Sequence, residues 1–137
     1  MSMPAGRYYI GDLCYVMSDD EWDEFCSITI KRDECLDGEF SLRDGRRFAT
    51  YGTRWGDGEY QDNYGNSYGV DAGLIGCIRV EDIRAEKYGN IERLGAIHEF
   101  ATDFVTSGGR GSRNWSGTIQ FGRILIETDA VEEIEYD

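Results

Sequence analysis

The sequence predicts a β-rich α+β fold: a single domain over residues 1–137, built as an antiparallel sheet or partly open barrel with one main amphipathic helix near residues 19–30. Three observations carry this. Two-residue alternation and glycine-bearing turns recur through most of the chain, which holds 18 Gly and a single Pro. One stretch alone, opened by Ser18, shows the 3- and 4-residue apolar spacing of a helix. Hydrophobic residues make up 40% of the chain and aromatics 13%, enough for a core despite 30% charge.

Taken in order, residues 6–10 (GRYYI) form a short aromatic strand, broken by Gly11-Asp12, and residues 13–17 (LCYVM) read as a second extended segment. Ser18 then caps the helix, with Glu21 three residues on to complete a capping box. Asp19, Asp20 and Glu21 load the first turn with negative charge, which suits the positive end of the helix dipole. Trp22, Phe25, Cys26 and Thr29 or Ile30 share the apolar face, with Asp23 and Glu24 on the solvent side. Residues 38–43 (GEFSLR) and 46–51 (RRFATY) flank Asp44-Gly45, a strong hairpin turn. Residues 59–62 and 67–71 flank a second hairpin at 63–66, and residues 74–80 (LIGCIRV) read as a buried strand. Residues 81–88 suggest a short helix ended by Gly89-Asn90. Residues 92–104, 118–121 and 123–127 supply further strands.

The acidic residues number 27 against 14 basic ones, a net charge of −13. General nucleic-acid binding is therefore not expected. No apolar stretch approaches the ~20 residues of a membrane-spanning helix, and no signal peptide opens the chain, so a cytoplasmic address without membrane contact is expected. Cys14, Cys26, Cys35 and Cys77 form no C-x-x-C pair and match no zinc spacing, and so read as reduced thiols.

Charge is unevenly placed. Residues 40–55 hold Arg43, Arg46, Arg47 and Arg54 against Asp44 alone, and residues 104–126 hold Arg110, Arg113 and Arg123 with no acid. Both islands carry aromatics: Phe48, Tyr51 and Trp55 in one, Trp115 and Phe121 in the other. An arginine fork suits a phosphate or carboxylate, and a neighbouring ring can stack on a base. Residues 107–117 (SGGRGSRNWSG) combine Gly109 and Gly111, whose N–H groups can cradle an anion, with Ser112, Arg110, Arg113 and Trp115. The stretch is neither a Walker loop nor a dinucleotide fingerprint. Read as a binding site, it joins Arg46, Arg47, Arg54 and Trp55; read structurally, it is a β–β loop whose arginines pair with the excess acids.

Other candidates read as structural. Asp57, Glu59 and Asp62 could ligate calcium, but their spacing is not that of an EF-hand. His98 has no second His and no matched nucleophile, and Cys14 has apolar flanks that raise a thiol pKa. Asp12 and Asp71 could form a carboxylate pair only if the fold joins them. No catalytic residue, metal or cofactor is assigned.

The run Tyr9-Ile10-Gly11-Asp12-Leu13-Cys14-Tyr15-Val16, with the Trp22 helix and later Tyr68-Gly69-Val70-Asp71-Ala72-Gly73-Leu74-Ile75-Gly76, resembles uncharacterised small bacterial and phage proteins. Their patterns are Y-x-I-G-D-P-C-Y and Y-G-x-D-A-G-x-I-G; this chain departs at Leu13, where they have Pro. The resemblance spans residues 8–76 and implies a bacterial or viral, intracellular setting, with no activity to carry over.

Three function classes follow. The first is a non-enzymatic binder of a small phosphorylated, nucleotide-like ligand, such as a sponge that sequesters a cyclic-nucleotide immune signal as an anti-defence protein. The second is an acidic interaction module or DNA mimic acting on a host protein, supported by the acid clusters at 19–24 and 127–137. The third is a metal-dependent hydrolase using Asp12, Asp57 or Asp71. A homo-oligomer is compatible with each.

Overall fold

The structure is a computed structural model and describes residues 2–32, 34–54, 56–108 and 117–128. In chain order these form β1 (Gly6–Gly11), α1 (Asp19–Thr29), β2 (Ile30–Lys31), β3 (Glu34–Cys35), β4 (Gly38–Ser41), β5 (Arg47–Gly52), β6 (Gly58–Asp62), β7 (Ser67–Val70) and β8 (Leu74–Arg79). There follow α2 (Ile91–Leu94), β9 (Gly95–Phe100), β10 (Thr106–Ser107), β11 (Thr118–Phe121) and β12 (Ile124–Glu127). Two five-stranded antiparallel sheets result, ordered β4-β5-β8-β1-β9 and β10-β11-β12-β6-β7, with β2 and β3 a separate small pair. The fold is β-rich α+β as the pattern predicts, and the sheets form two open layers rather than a closed barrel.

Side-chain alternation along the first sheet sets up three layers. Tyr8 and Ile10 of β1, Ala49 and Tyr51 of β5, and Ile75 and Cys77 of β8 face the second sheet. There they meet Tyr60, Tyr68, Ile119, Phe121, Ile124 and Ile126. Tyr9, Phe48 and Ile78 point the other way and pack with Phe25 under α1. The Phe25 and Phe48 rings lie 5.1 Å apart. β1 is covered on both faces from Tyr8 onward, which is why Tyr8 through Gly11 are all buried while Arg7 is exposed.

The helix forms as its capping signal dictates. The Glu21 N–H donates to Ser18 Oγ at 3.3 Å and the Ser18 N–H donates to Glu21 Oε1 at 2.8 Å. The apolar face ends on Thr29, which is buried, while Ile30 is exposed.

Three expected elements differ. Residues 13–15 form a 3₁₀ turn rather than an extended segment, because Asp12 captures the Cys14 N–H at 3.0 Å. Leu13 then packs onto β8 at Gly76, where an added Cβ would fall 2.7 Å from Leu13 Cδ1 and 2.3 Å from the Ala49 carbonyl oxygen. The helix expected at 81–88 is two 3₁₀ turns, Val80–Asp82 and Ala85–Asn90, separated by an extended Arg84. Arg84 reaches back to Glu21 of α1, Nε to Oε2 at 3.1 Å. The strand expected over 92–104 begins only at Gly95, after the helical turn α2, and ends at Phe100. Among the described residues no helix is long and apolar enough to cross a membrane.

Candidate functional site

The two sequence motifs at residues 9–16 and 68–76 meet through one carboxylate. Asp12 is wholly buried just past β1. Its Oδ2 accepts the N–H groups of Asp71 at 2.8 Å and Ala72 at 2.6 Å, while Oδ1 holds Cys14 N–H. The Tyr15 hydroxyl donates to Asp71 Oδ2 at 2.8 Å. The turn between β7 and β8 is thereby fixed against the segment that leads into α1.

A second chain segment is fixed beside it. The Gly52 N–H donates to Asp37 Oδ1, the Thr53 N–H to the Gly73 carbonyl and the Arg54 N–H to Thr128 Oγ1, each at 3.0 Å. The Tyr60 hydroxyl donates to the Gly56 carbonyl at 3.0 Å. Backbone held at this many points is ordered before any ligand arrives, which lowers the entropy lost on binding.

Between α1 and these two turns lies a cleft of about 250 Å³. Trp22 and Phe25 of α1, Thr50 of β5, Thr53, Arg54 and Gly73 line it. The Trp22 and Phe25 rings stack, with centroids 4.5 Å apart and planes 10° from parallel. Trp22 stays part-exposed, and Arg54 is exposed. Thr50 is 2% exposed, and its Oγ1 has no hydrogen-bond partner. An aromatic wall, the Arg54 guanidinium, the Asp37 carboxylate and threonine hydroxyls share one concave site, a set that can hold a flat, polar molecule.

The arginines of the first island separate. Arg46 binds Glu21 and, through Nε, Asp44 at 2.9 Å. Arg47 donates to the Ser2 carbonyl at 2.7 Å and sits 3.7 Å from Glu39. Arg43 lies 3.7 Å from Glu24. Of the four, Arg54 alone lines the cleft. In the second island Arg123 stacks 4.9 Å from the Phe100 ring centroid. Trp55, Gly109, Gly111, Ser112, Arg110, Arg113 and Trp115 lie outside the described residues. Of the described ends of their stretch, residue 108 lies between the sheets and residue 117 is tied to the segment that carries Arg54. At Gly108 an added Cβ would fall 2.8 Å from the Tyr51 ring, so backbone lies directly on that ring. The Gly117 carbonyl accepts the Thr128 N–H at 2.9 Å, and Thr128 in turn holds Arg54.

The other candidates take structural places. Three N–H donors hold Asp12, and one of them is the backbone of Asp71, so the fold does bring these two residues together. Burial first, then the adjacent Asp12, pushes the Cys14 thiol up to about 12, well away from thiolate chemistry. Burial pushes Cys77 up as well. Cys14, Cys26 and Cys77 are thiols, not half-cystines. No group of three His, Cys, Asp or Glu side chains able to hold a metal exists among the described residues.

His98 joins a buried polar cluster between the sheets. Asp62 accepts the Tyr68 hydroxyl at 2.6 Å, the Asn66 side-chain amide at 3.1 Å, and the N–H groups of Tyr64 at 2.8 Å and Asn66 at 3.0 Å. Since Tyr68 donates to Asp62, His98 Nε2, 3.0 Å away, is the donor to the Tyr68 oxygen. Burial lowers the His98 pKa, with the Arg123 charge adding to it and Asp62 opposing. Burial alone would raise Asp62, but the hydrogen bonds from Tyr68 and Asn66 outweigh it and hold the carboxyl below its ordinary value.

Sequence reasoning placed Trp22 and Phe25 in the core and passed over Thr50 and Thr53. The available signal was Thr50 itself, a polar residue inside the buried run Phe48-Ala49-Thr50-Tyr51. Searches of protein-family models, curated proteins and solved structures find no match to this chain.

Proposed function

We propose that the protein is a non-enzymatic binder that sequesters a small anionic, nucleotide-like ligand in the cleft beside α1. The observation that carries this reading is the placing of the Trp22–Phe25 stack and Arg54 on one preformed cleft of about 250 Å³. That volume lies just below the ~300–1,000 Å³ range of ligand sites, so it suits one nucleotide unit of a ligand rather than a whole oligonucleotide. The rings take a base face and Arg54 takes a phosphate. The net charge of −13 repels nucleic-acid polymers, while a small anion needs only a local positive group. Sequestration of a cyclic-nucleotide or related immune signal, in the manner of an anti-defence sponge, is the biological role we propose.

The alternatives draw less support. In the acidic run at 19–24, Glu21 is engaged by Arg46 and Arg84 and Glu24 by Arg43, which breaks the row of carboxylates a DNA mimic would present. The hydrolase reading has no three-residue donor set among the described residues. Mass spectrometry of small molecules released on denaturing protein purified from its natural cellular setting tests the proposal. A stoichiometric phosphate-bearing heteroaromatic compound is expected. A stoichiometric co-purifying protein with no such compound would favour the interaction module.

A further inference from the structure

We infer that the Thr50 hydroxyl reads the polar edge of the ligand's base, so that a nucleotide enters the cleft base-first with its phosphate toward Arg54. This rests on the ligand reading above and specifies its orientation and selectivity. Three threonines line the cleft: Thr29, Thr50 and Thr53. Thr29 donates to the Phe25 carbonyl at 2.9 Å, and Thr53 donates to the Gly56 carbonyl. Thr50 is as buried as either, yet its Oγ1 is without a partner. A buried hydroxyl with no hydrogen bond destabilises the protein that carries it, so a native chain retains one chiefly where something else supplies the bond.

The sheet sets no side chain against this hydroxyl from its neighbouring strands. The cross-strand neighbours of Thr50 are Gly38 on β4 and Gly76 on β8, so neither adjacent strand places a side chain beside it. Leu13 covers the Gly76 side, while at Gly38 an added Cβ would meet nothing nearer than 4.0 Å, the edge of Phe40. The looser side of Thr50 is therefore that of Gly38, and Thr50 itself is part of the cleft lining. A hydroxyl both donates and accepts, so it can serve a ring nitrogen, an exocyclic amine or an oxo group. It offers nothing to a ring whose edge is only C–H. The site thus favours phosphates bearing a nucleobase over plain aromatic phosphates.

The test is calorimetric titration of the wild-type protein and of Thr50→Val, a change that keeps the shape and removes the hydroxyl. The probes are the four ribonucleoside 5′-monophosphates, with phenyl phosphate as an aromatic phosphate lacking a polar ring edge. At least one nucleotide should bind the wild type and bind Thr50→Val roughly tenfold more weakly. Thr50→Ser should restore that affinity, and phenyl phosphate should not distinguish the variants. The melting temperature of ligand-free Thr50→Val should equal or exceed that of the wild type, since an unsatisfied group has been removed. Equal nucleotide affinity in wild type and Thr50→Val would overturn this inference while leaving the cleft reading in place. Failure of every probe to bind the wild type would overturn both. A lowered melting temperature would show that the hydroxyl has a partner within the chain, and would overturn this inference alone.

Discussion

Asp62 and Thr50 are both buried polar side chains at the faces of β-strands, and the chain treats them in opposite ways. Around Asp62, four donors converge on one carboxylate, and Tyr68 and His98 continue the network across to the first sheet. Around Thr50, two glycines flank a hydroxyl with no partner, beside a cleft walled by a half-exposed tryptophan. A saturated network of this kind holds two layers in one arrangement. The unsaturated hydroxyl beside the cleft is the feature the proposed ligand orientation draws on. On the proposed reading, the difference separates the part of the molecule that maintains the fold from the part that would take a ligand, and it can be tested from both sides.

The largest expected effect falls on the saturated side. Asp62→Ala strands four donors and should cost about 4 kcal/mol of stability, read from denaturant unfolding. An unchanged midpoint would remove the contrast. Trp22→Ala belongs to both regions, since its ring packs on Phe25 and walls the cleft. It should cost ~3 kcal/mol and also weaken binding. Loss of stability with ligand affinity intact would move the site elsewhere.

Acid should act next, and through the inter-sheet network. The folded pKa of His98 lies below its ordinary 6.5, so on acidification the unfolded chain takes up that proton before the folded one. Stability should therefore fall as pH drops below 6.5 toward the depressed folded value. The Asp62 and Glu21 carboxyls are held below their ordinary 3.8 and 4.5, so the stability they contribute is present above those values and is lost as pH falls through the lower folded ones. His98→Gln should flatten the first decline and leave the second. A variant with the wild-type profile would mean that His98 does not titrate with folding. Ser18→Ala should cost about 1 kcal/mol, the loss of one N-cap; a neutral result would show that α1 does not depend on its cap.

What the sequence makes legible is local. Ser18 and Glu21 announce α1 because both capping partners lie within one turn, and Asp44-Gly45 announces its hairpin for the same reason. The turn at 13–15 was hidden because the choice between strand and turn depends on the Asp12 carboxylate. Its partners include Asp71 and Ala72, 59 and 60 residues away. The arginine island at 43–54 looked positive in sequence because the carboxylates that meet Arg43 and Arg46 arrive from α1. The cleft is not legible for a related reason: its lining comes from four separated segments, and Trp22 and Phe25 read equally well as core. Arg54 was named from composition alone, and it is the one member of that island the fold carries to the cleft.

The most direct test of the cleft as a nucleotide-like binding site is titration calorimetry of the wild type and Arg54→Ala against cyclic di- and trinucleotides and ADP-ribose. Arg54 is exposed, and the unfolding midpoint of Arg54→Ala, measured alongside, separates a change in binding from a change in folding. The account predicts a saturable heat for the wild type with at least one of these compounds. It also predicts an affinity lower by about tenfold in Arg54→Ala, the scale of one charge-assisted hydrogen bond. No heat from any of them, or the same affinity in both proteins, would contradict it.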